Sequence, residues 1–436
     1  MSGNEPASRA DELPPPKPQQ WLRNALSLYG LQALNILVPL ITLPYLTRTL
    51  GIANFGTMAY ALSIIQLVVF LAEFSFNLTA TRRISTAASN ADISRTYSVV
   101  TVIRSILALL GLATVAAALF FVPALRQQWA LYAAISPMVF GELLFPIWVF
   151  QGLQKMQYLP LFSAASRALG LVLIVALVRT EDDLLIAAAA QAIPFVLTGL
   201  LAQAALRLRL GVLFQPRQPV AVYREMFYEA GLVFLGRLAG QVYTRGALLM
   251  LGAFATASEL GYFSIAQRIS TLLVGVLVSP ISQSLYPHLC ILWERAPEHL
   301  WRWRRRMILI ASVGVVVGVG GLNAGSSVLS LVLTGSDRPE LRALLLAFSP
   351  AIAFTLLNVL LATIITAMRR FAALTRVLVL GAATFLLAGL VLTPKFGAIG
   401  MAVTSGVVEA VVFLACIVVT RRGKDPRSRE SSTSSR

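Results

Sequence analysis

Hydrophobic residues fill twelve long stretches of the chain, and polar residues collect between them. The apolar runs lie near 24–47, 56–81, 96–122, 128–152, 160–179 and 184–206, then near 226–254, 260–291, 306–334, 341–367, 371–393 and 397–420. A helix needs about 20 mostly apolar residues to cross a bilayer. The pattern therefore predicts an all-α integral membrane protein with about twelve transmembrane helices. Short links of Gly, Pro and charged residues separate most runs, which suits helical hairpins. Pro39, Pro44, Pro137, Pro146, Pro194 and Pro280 fall inside runs. Membrane helices accept such breaks where neighbours or water satisfy the freed carbonyls.

The polar segments divide the chain further. Residues 1–21, with Pro14 to Pro16 and Pro18, lack an apolar core and a small-residue cleavage site, so they read as a disordered tail rather than a signal peptide. Residues 421–436 form a basic tail rich in Ser and Arg. Six runs (22–206) and six more (226–420) flank the longest connection, 207–225, whose Leu208, Leu210, Val212, Leu213 and Phe214 among arginines predict an interfacial linker. Sliding the chain on itself by 205 residues matches Gly56 with Gly261, Ala61 with Ala266, Ile64 with Ile269 and Leu67 with Leu272. These matches fall at one point of the second run in each half. Halves with an even number of spans are parallel repeats, related by an axis along the membrane normal.

Composition agrees: 57% of the 436 residues are hydrophobic and only 13% are charged, against about 25% charged in soluble domains. The formal charge of +17 first suggests nucleic acid, but nucleic-acid proteins display Lys and Arg on a polar surface. Here the cations sit between apolar runs. With the tails and even-numbered connections assigned to the cytoplasm, that side holds 26 of the 36 cations and the opposite side six. Such a positive-inside bias fixes the orientation, with both termini cytoplasmic. No nucleic-acid partner is expected; membrane lipids are. Cys290 and Cys416 lie far apart, and His288 and His299 complete the soft-ligand inventory. No metal site, disulfide framework or catalytic group is expected.

The remaining four cations, Arg104, Arg237, Arg245 and Arg268, fall inside runs. An Arg at a helix centre costs about 2.5–3.5 kcal/mol on insertion scales, so it normally faces protein or water. Arg237, Gln241, Thr244 and Arg245 recur at helical spacing and share one face. Four such arginines predict a cationic lumen for an anionic substrate, because the guanidinium fork binds phosphate through two charge-assisted bonds. Structural pairing is the alternative, since Glu73, Glu142 and Glu409 are also intramembrane. Glu73 and Glu142 stand as candidates for ion coupling or for charge pairing. Gln32, Asn35 and Thr42 in the first run, and Ser63, Gln66 and Asn77 in the second, suit either a polar cavity wall or interhelical packing. The run from Trp301 to Arg306 reads as an interfacial anchor.

Several segments resemble a known family. Leu43-Pro44-Tyr45-Leu46-Thr47-Arg48-Thr49-Leu50-Gly51, followed by Asn54-Phe55-Gly56, is similar to the amino-terminal signature of bacterial polysaccharide flippases of the Wzx (O-antigen translocase) type. So are the blocks Phe76 to Arg82, Pro146 to Met156, Leu260 to Phe263 with Ala266-Gln267-Arg268, and Pro280 to Pro287. The likeness runs from about residue 22 to 420. It implies the multidrug/oligosaccharidyl-lipid/polysaccharide (MOP) exporter superfamily: two six-helix bundles in a V around a central cavity, with alternating access. The implied substrate is an undecaprenyl-diphosphate-linked oligosaccharide, moved between leaflets of the bacterial inner membrane. Partners implied are a polysaccharide polymerase and chain-length machinery. Arg268 matches an Ala-x-Arg pattern that lines the cavity in related lipid II flippases, so it is the first choice for a diphosphate contact. The helix-one and helix-two arginines of those relatives are absent here, where Gln32, Asn35 and Thr42 stand instead, which argues against lipid II.

No P-loop or paired-carboxylate site appears, so ATP hydrolysis within the chain is not expected. No cofactor is expected, and an H+ or Na+ gradient is left open as the energy source. A multidrug antiporter of the same superfamily remains a rival, although cationic drugs favour an acidic lumen. A membrane glycosyltransferase or polymerase is a weaker one, because no loop approaches domain size.

Overall fold

The computed structural model describes residues 37–295 and 297–421. Gln32 and Asn35 lie outside the described residues. No strand occurs among those described, and the helices follow the apolar runs. In order they are α1 (37–49), α2 (Gly51–Glu73), α3 (Phe76–Ser85), α4 (Asn90–Phe121), α5 (Pro123–Arg126), α6 (Trp129–Ile135), α7 (Pro137–Leu144), α8 (Ile147–Gly152), α9 (Tyr158–Leu177) and α10 (Leu184–Arg209). Then come α11 (Val220–Leu251), α12 (Ala257–Leu277), α13 (Ser279–Arg295), α14 (Pro297–Ala324), α15 (Ser326–Thr334), α16 (Pro339–Ala367) and α17 (Phe371–Arg421).

Local chemistry explains where rods break. Pro137 opens α7 and Pro146 caps α8, which splits the fourth run into three pieces. The second run is cut by Phe74 and Ser75 at φ 43° and 63°. A glycine, Gly397 at φ 53°, separates the two arms of α17 three residues after Pro394, as expected where the chain needs a left-handed residue. Eight helices among the described residues are long and apolar enough to cross a membrane. Neither α11 nor α12 is among them. In α11 the apolar run is interrupted by Arg237, Gln241 and Arg245.

In the amino-terminal half α10 packs on α6, α7 and α9, while α2 packs on α4, α6 and α7. In the other half α16 is central, touching α12, α13, α14 and α17, and α11 lies on α17. The connection between halves is shorter than the pattern predicts. α10 continues to Arg209 and α11 begins at Val220, leaving 210–219 outside helices. That segment is strapped to α4, with the Leu213 N–H donating to Ser94 Oγ at 3.1 Å and the Gln215 N–H to Ser98 Oγ at 2.6 Å.

The halves meet chiefly where α2 lies on α12. A methyl group added to Gly56 would overlap the Ala257 carbonyl oxygen, and one added to Gly261 would overlap the Ile52 carbonyl oxygen. Position 52 maps to 257, and 56 to 261, under the 205-residue shift read from the sequence. The contact is thus reciprocal, as at a twofold interface. Close backbone approach through small residues is how helices pack in lipid. Nearby, the Thr47 hydroxyl donates to the Leu333 carbonyl, and Arg48 Nη2 donates to the Leu331 and Val332 carbonyls. These side chains of α1 bond carbonyls in the last turn of α15, where Leu331 also accepts the Gly335 N–H. The family-like block 43–56 is therefore a joint between halves.

Candidate functional site

Two connected chambers lie on the amino-terminal side of this joint and across it. The first, about 440 Å³, is walled by α1, α7, α9 and α10 and reaches Arg268 of α12. The second, about 610 Å³, lies between the halves, against α2, α11 and α12. They share Pro39, Gln191, Phe195 and Arg268. A third chamber of about 400 Å³ lies within the carboxy-terminal half and meets the second at Thr244, Gln267 and Thr271.

The four intramembrane arginines separate into two kinds. Arg237 Nη1 pairs with Glu73 Oε1 at 3.1 Å, from α11 to α2. Arg104 is buried, donates from Nη2 to the Glu142 carbonyl at 2.9 Å, and lies in the field of the Glu142 and Glu73 carboxylates. Neither lines the two chambers. Burying a guanidinium costs much unless it is paired. Arg237 is ion-paired. Arg104 has no carboxylate within ion-pair distance among the described residues; it is held by one carbonyl and the field of nearby carboxylates, with its Nε buried without a partner.

Arg245 and Arg268 differ. Arg268 sits at the junction of the chambers with its guanidinium carbon 5.3 Å from the centroid of Phe55, a cation–π contact. Arg245 is exposed into the second chamber. Neither has a carboxylate within ion-pair distance among the described residues. Both therefore present open donors to the cavity. Gln66 lines the second chamber and Thr42 the first. Gln241 lines neither, and its Oε1 is buried without a partner.

Glu73 is ion-paired with Arg237, whereas Glu142 lines the first chamber, has no ion pair among the described residues, and meets Arg104 through its backbone carbonyl. Glu409 lines the third chamber and accepts from Asn358 Nδ2 at 2.6 Å. The block from Pro146 is core, with Trp148, Val149 and Phe150 fully buried.

Sequence reasoning missed Arg167. It falls near the start of the fifth run, where the charge partition counts it with the cytoplasmic cations. In the structure it lines the first chamber beside Ser163, Ser166 and Gly170. That spacing marks one face of α9, a signal the sequence carried. Gln191 and Thr198 of α10 complete the polar wall, Thr198 Oγ1 donating to Ser166 Oγ at 2.7 Å.

The arrangement can hold an anion between two half-molecules while hydroxyls and amides contact whatever the anion carries. Comparisons with known proteins narrow the field. The family described as polysaccharide biosynthesis protein matches residues 21–293. A protein of Escherichia coli (strain K12) named "Putative O-antigen transporter" is 27% identical over 409 residues, 92% of this chain and 97% of the relative. Its namesake in Shigella dysenteriae is 26% identical over 397 residues, covering 90% and 98%. Among solved structures, the lipid II flippase MurJ in an inward closed conformation is similar at a TM-score of 0.71, with 12% identity, covering 92% of this chain and 87% of that one. An inward-facing multidrug resistance MATE transporter of the MOP superfamily is similar at 0.66, with 13% identity, covering 90% and 96%. At these identities the structures speak for the fold alone.

Proposed function

This chain belongs to the polysaccharide biosynthesis protein family and is a membrane transporter rather than an enzyme, and we propose that it flips an undecaprenyl-diphosphate-linked oligosaccharide from the cytoplasmic to the periplasmic leaflet of the bacterial inner membrane. Its relatives' name supports a lipid-linked oligosaccharide as the cargo. The observation that carries the reading is the pair of open arginines, Arg268 and Arg245, in the second chamber between the halves.

The physical task is to carry a diphosphate and a glycan across about 30 Å of hydrocarbon. A hydrated cationic chamber receives the headgroup, and the lipid tail stays in the bilayer through a gap between helices. Arg268 anchors the diphosphate by a charge-assisted fork, and Arg245 supplies a second charge. The arginine-rich end of the molecule faces the cytoplasm by the positive-inside rule. The glycine joint of α2 and α12, at the arginine-poor end, then closes the periplasmic side. Alternating access requires that joint to part while the arginine-rich end closes. The substrate shifts the balance only by its difference in affinity for the two states.

Arg268→Ala, expressed at the normal level, abolishes surface polysaccharide in a complementation assay, and Arg268→Lys keeps part of it. Full display from the Ala variant removes Arg268 from the site.

A further inference from the structure

The first chamber holds a cation that the diphosphate reading leaves unused. Arg167 is half-buried on α9 and has no carboxylate within ion-pair distance among the described residues. Arg167, Arg245 and Arg268 line the first two chambers with one carboxylate, Glu142. Behind the walls Arg104 lies in the field of Glu142 and Arg237 is paired with Glu73, so the region as a whole carries five arginines against two carboxylates, an excess of three charges. Glu409 lines only the third chamber of those described. A diphosphate diester carries one ionised oxygen on each phosphorus, so two of the three charges are met. One remains, and Arg167 is where the structure puts it.

Its surroundings say what the third anion is attached to. Arg268, at the junction, and Arg245, in the second chamber, take the diphosphate. The first chamber then receives the group bonded to it. That chamber offers Ser163, Ser166, Thr198 and Gln191 beside Arg167, with Phe145 and Phe195 in the wall and one carboxylate, Glu142, which lies in the field of Arg104. Hydroxyls and an amide match sugar hydroxyls, and aromatic faces pack against sugar C–H groups. A guanidinium among them matches an oxyanion on the sugar.

We propose that the first chamber is a glycan-reading site and that Arg167 selects an acidic repeat unit, one whose sugars bear a carboxylate or a phosphate ester. The assignment rests on the diphosphate reading of Arg268. Arg167 is a specificity-determining residue, and the cargo class is an anionic glycan.

The test uses the purified full-length chain and water-soluble short-chain prenyl diphosphates. Three carry the same disaccharide: neutral, oxidised to the carboxylate at C6, or phosphorylated at C6. Calorimetric titration gives the affinity ratio of each acidic ligand to the neutral one. Wild type favours at least one acidic ligand about tenfold, the size of one charge-assisted hydrogen bond, and the larger gain identifies the anion. Arg167→Gln brings that ratio close to one and Arg167→Lys leaves an intermediate value. A wild-type ratio near one for both acids overturns the proposal, as does a ratio that survives Arg167→Gln. Equal weakening of all three ligands by Arg167→Gln also overturns it, by placing Arg167 on the diphosphate. If Arg167→Gln does not fold, the wild-type ratios and the Arg167→Lys ratios still decide. Failure of wild type to bind any of the three overturns the diphosphate reading itself.

Discussion

The two halves are joined in two physically different ways. At the arginine-poor end, α2 and α12 meet backbone to backbone at Gly56 and Gly261, and Thr47 and Arg48 bond the last carbonyls of α15. Nearer the arginine-rich end, α3 meets α11 through Arg83, paired with Glu225 at 2.6 Å and with Glu229 at 2.7 Å. Between these lies the Arg237–Glu73 pair at 3.1 Å. The first joint is close backbone packing with hydrogen bonds and, among the described residues, no ion pair. It fits in one geometry, and any added atom keeps the helices apart. The second is charge on long side chains, which follow a moving partner. The proposed alternating access would use that asymmetry, separating at one end and yielding at the other.

Enlarging the glycine joint is the strongest way to break the comparison. Gly56→Leu forces α2 and α12 apart, and overpacking of this kind costs about 1–3 kcal/mol or more. Surface polysaccharide is then lost although the protein reaches the membrane, and Gly56→Ala gives a smaller loss of the same kind. Normal display from Gly56→Leu would mean that this joint never has to close.

Removing Arg237 has a smaller effect. Arg237→Gln leaves Glu73 unpaired, and because the side chains are 36% and 22% exposed the loss is about 1 kcal/mol. Adding Glu73→Gln restores part of it, as a double-mutant cycle on thermal unfolding of the purified protein would show. Simple additivity of the two changes would dissolve the pair as a stabilising contact.

Arg83→Ala is milder still. Its partners are 65% and 35% exposed, so screening holds the change below about 1 kcal/mol and salt reduces it further. A large salt-independent loss of stability would contradict a compliant charged joint.

The smallest effect is electrostatic and local. At the start of α10, the Arg179 and Thr180 N–H groups each donate to Asp183 Oδ2 at 2.8 Å, which holds that carboxyl below the usual range. A carboxyl lowered by folding stabilises above its unfolded pKa, and the benefit fades as pH falls through the folded value. Asp183→Asn should therefore be slightly less stable than wild type at neutral pH and equal to it in strong acid. Melting curves across that range check the sign.

Much of this was legible in the sequence. The rods follow the apolar runs because helices in lipid must satisfy their own backbone and expose little else. The 205-residue shift located Gly56 and Gly261, although only the structure shows that the matched glycines touch. Charge placement was legible by depth but not by partner. Glu73 lies 164 residues from Arg237, and the carbonyl that holds Arg104 lies 38 residues away. Spacing along one helix cannot reveal a partner on another. For that reason the four arginines looked equivalent, yet Arg237 is ion-paired, Arg104 is buried against a carbonyl, and only Arg245 and Arg268 open into the chambers. Arg167 was passed over because its depth was judged from the run's edge, whereas what matters is the chamber its helix face borders.

The difference between paired and open arginines is tested most directly by transport in proteoliposomes. The full-length chain would be reconstituted with a fluorescent prenyl-diphosphate disaccharide, and its movement between leaflets followed by quenching from outside. Wild type moves the lipid, Arg237→Gln keeps most of that rate, and Arg268→Ala loses it. Equal loss in the two variants, or full transport by Arg268→Ala, would contradict the account.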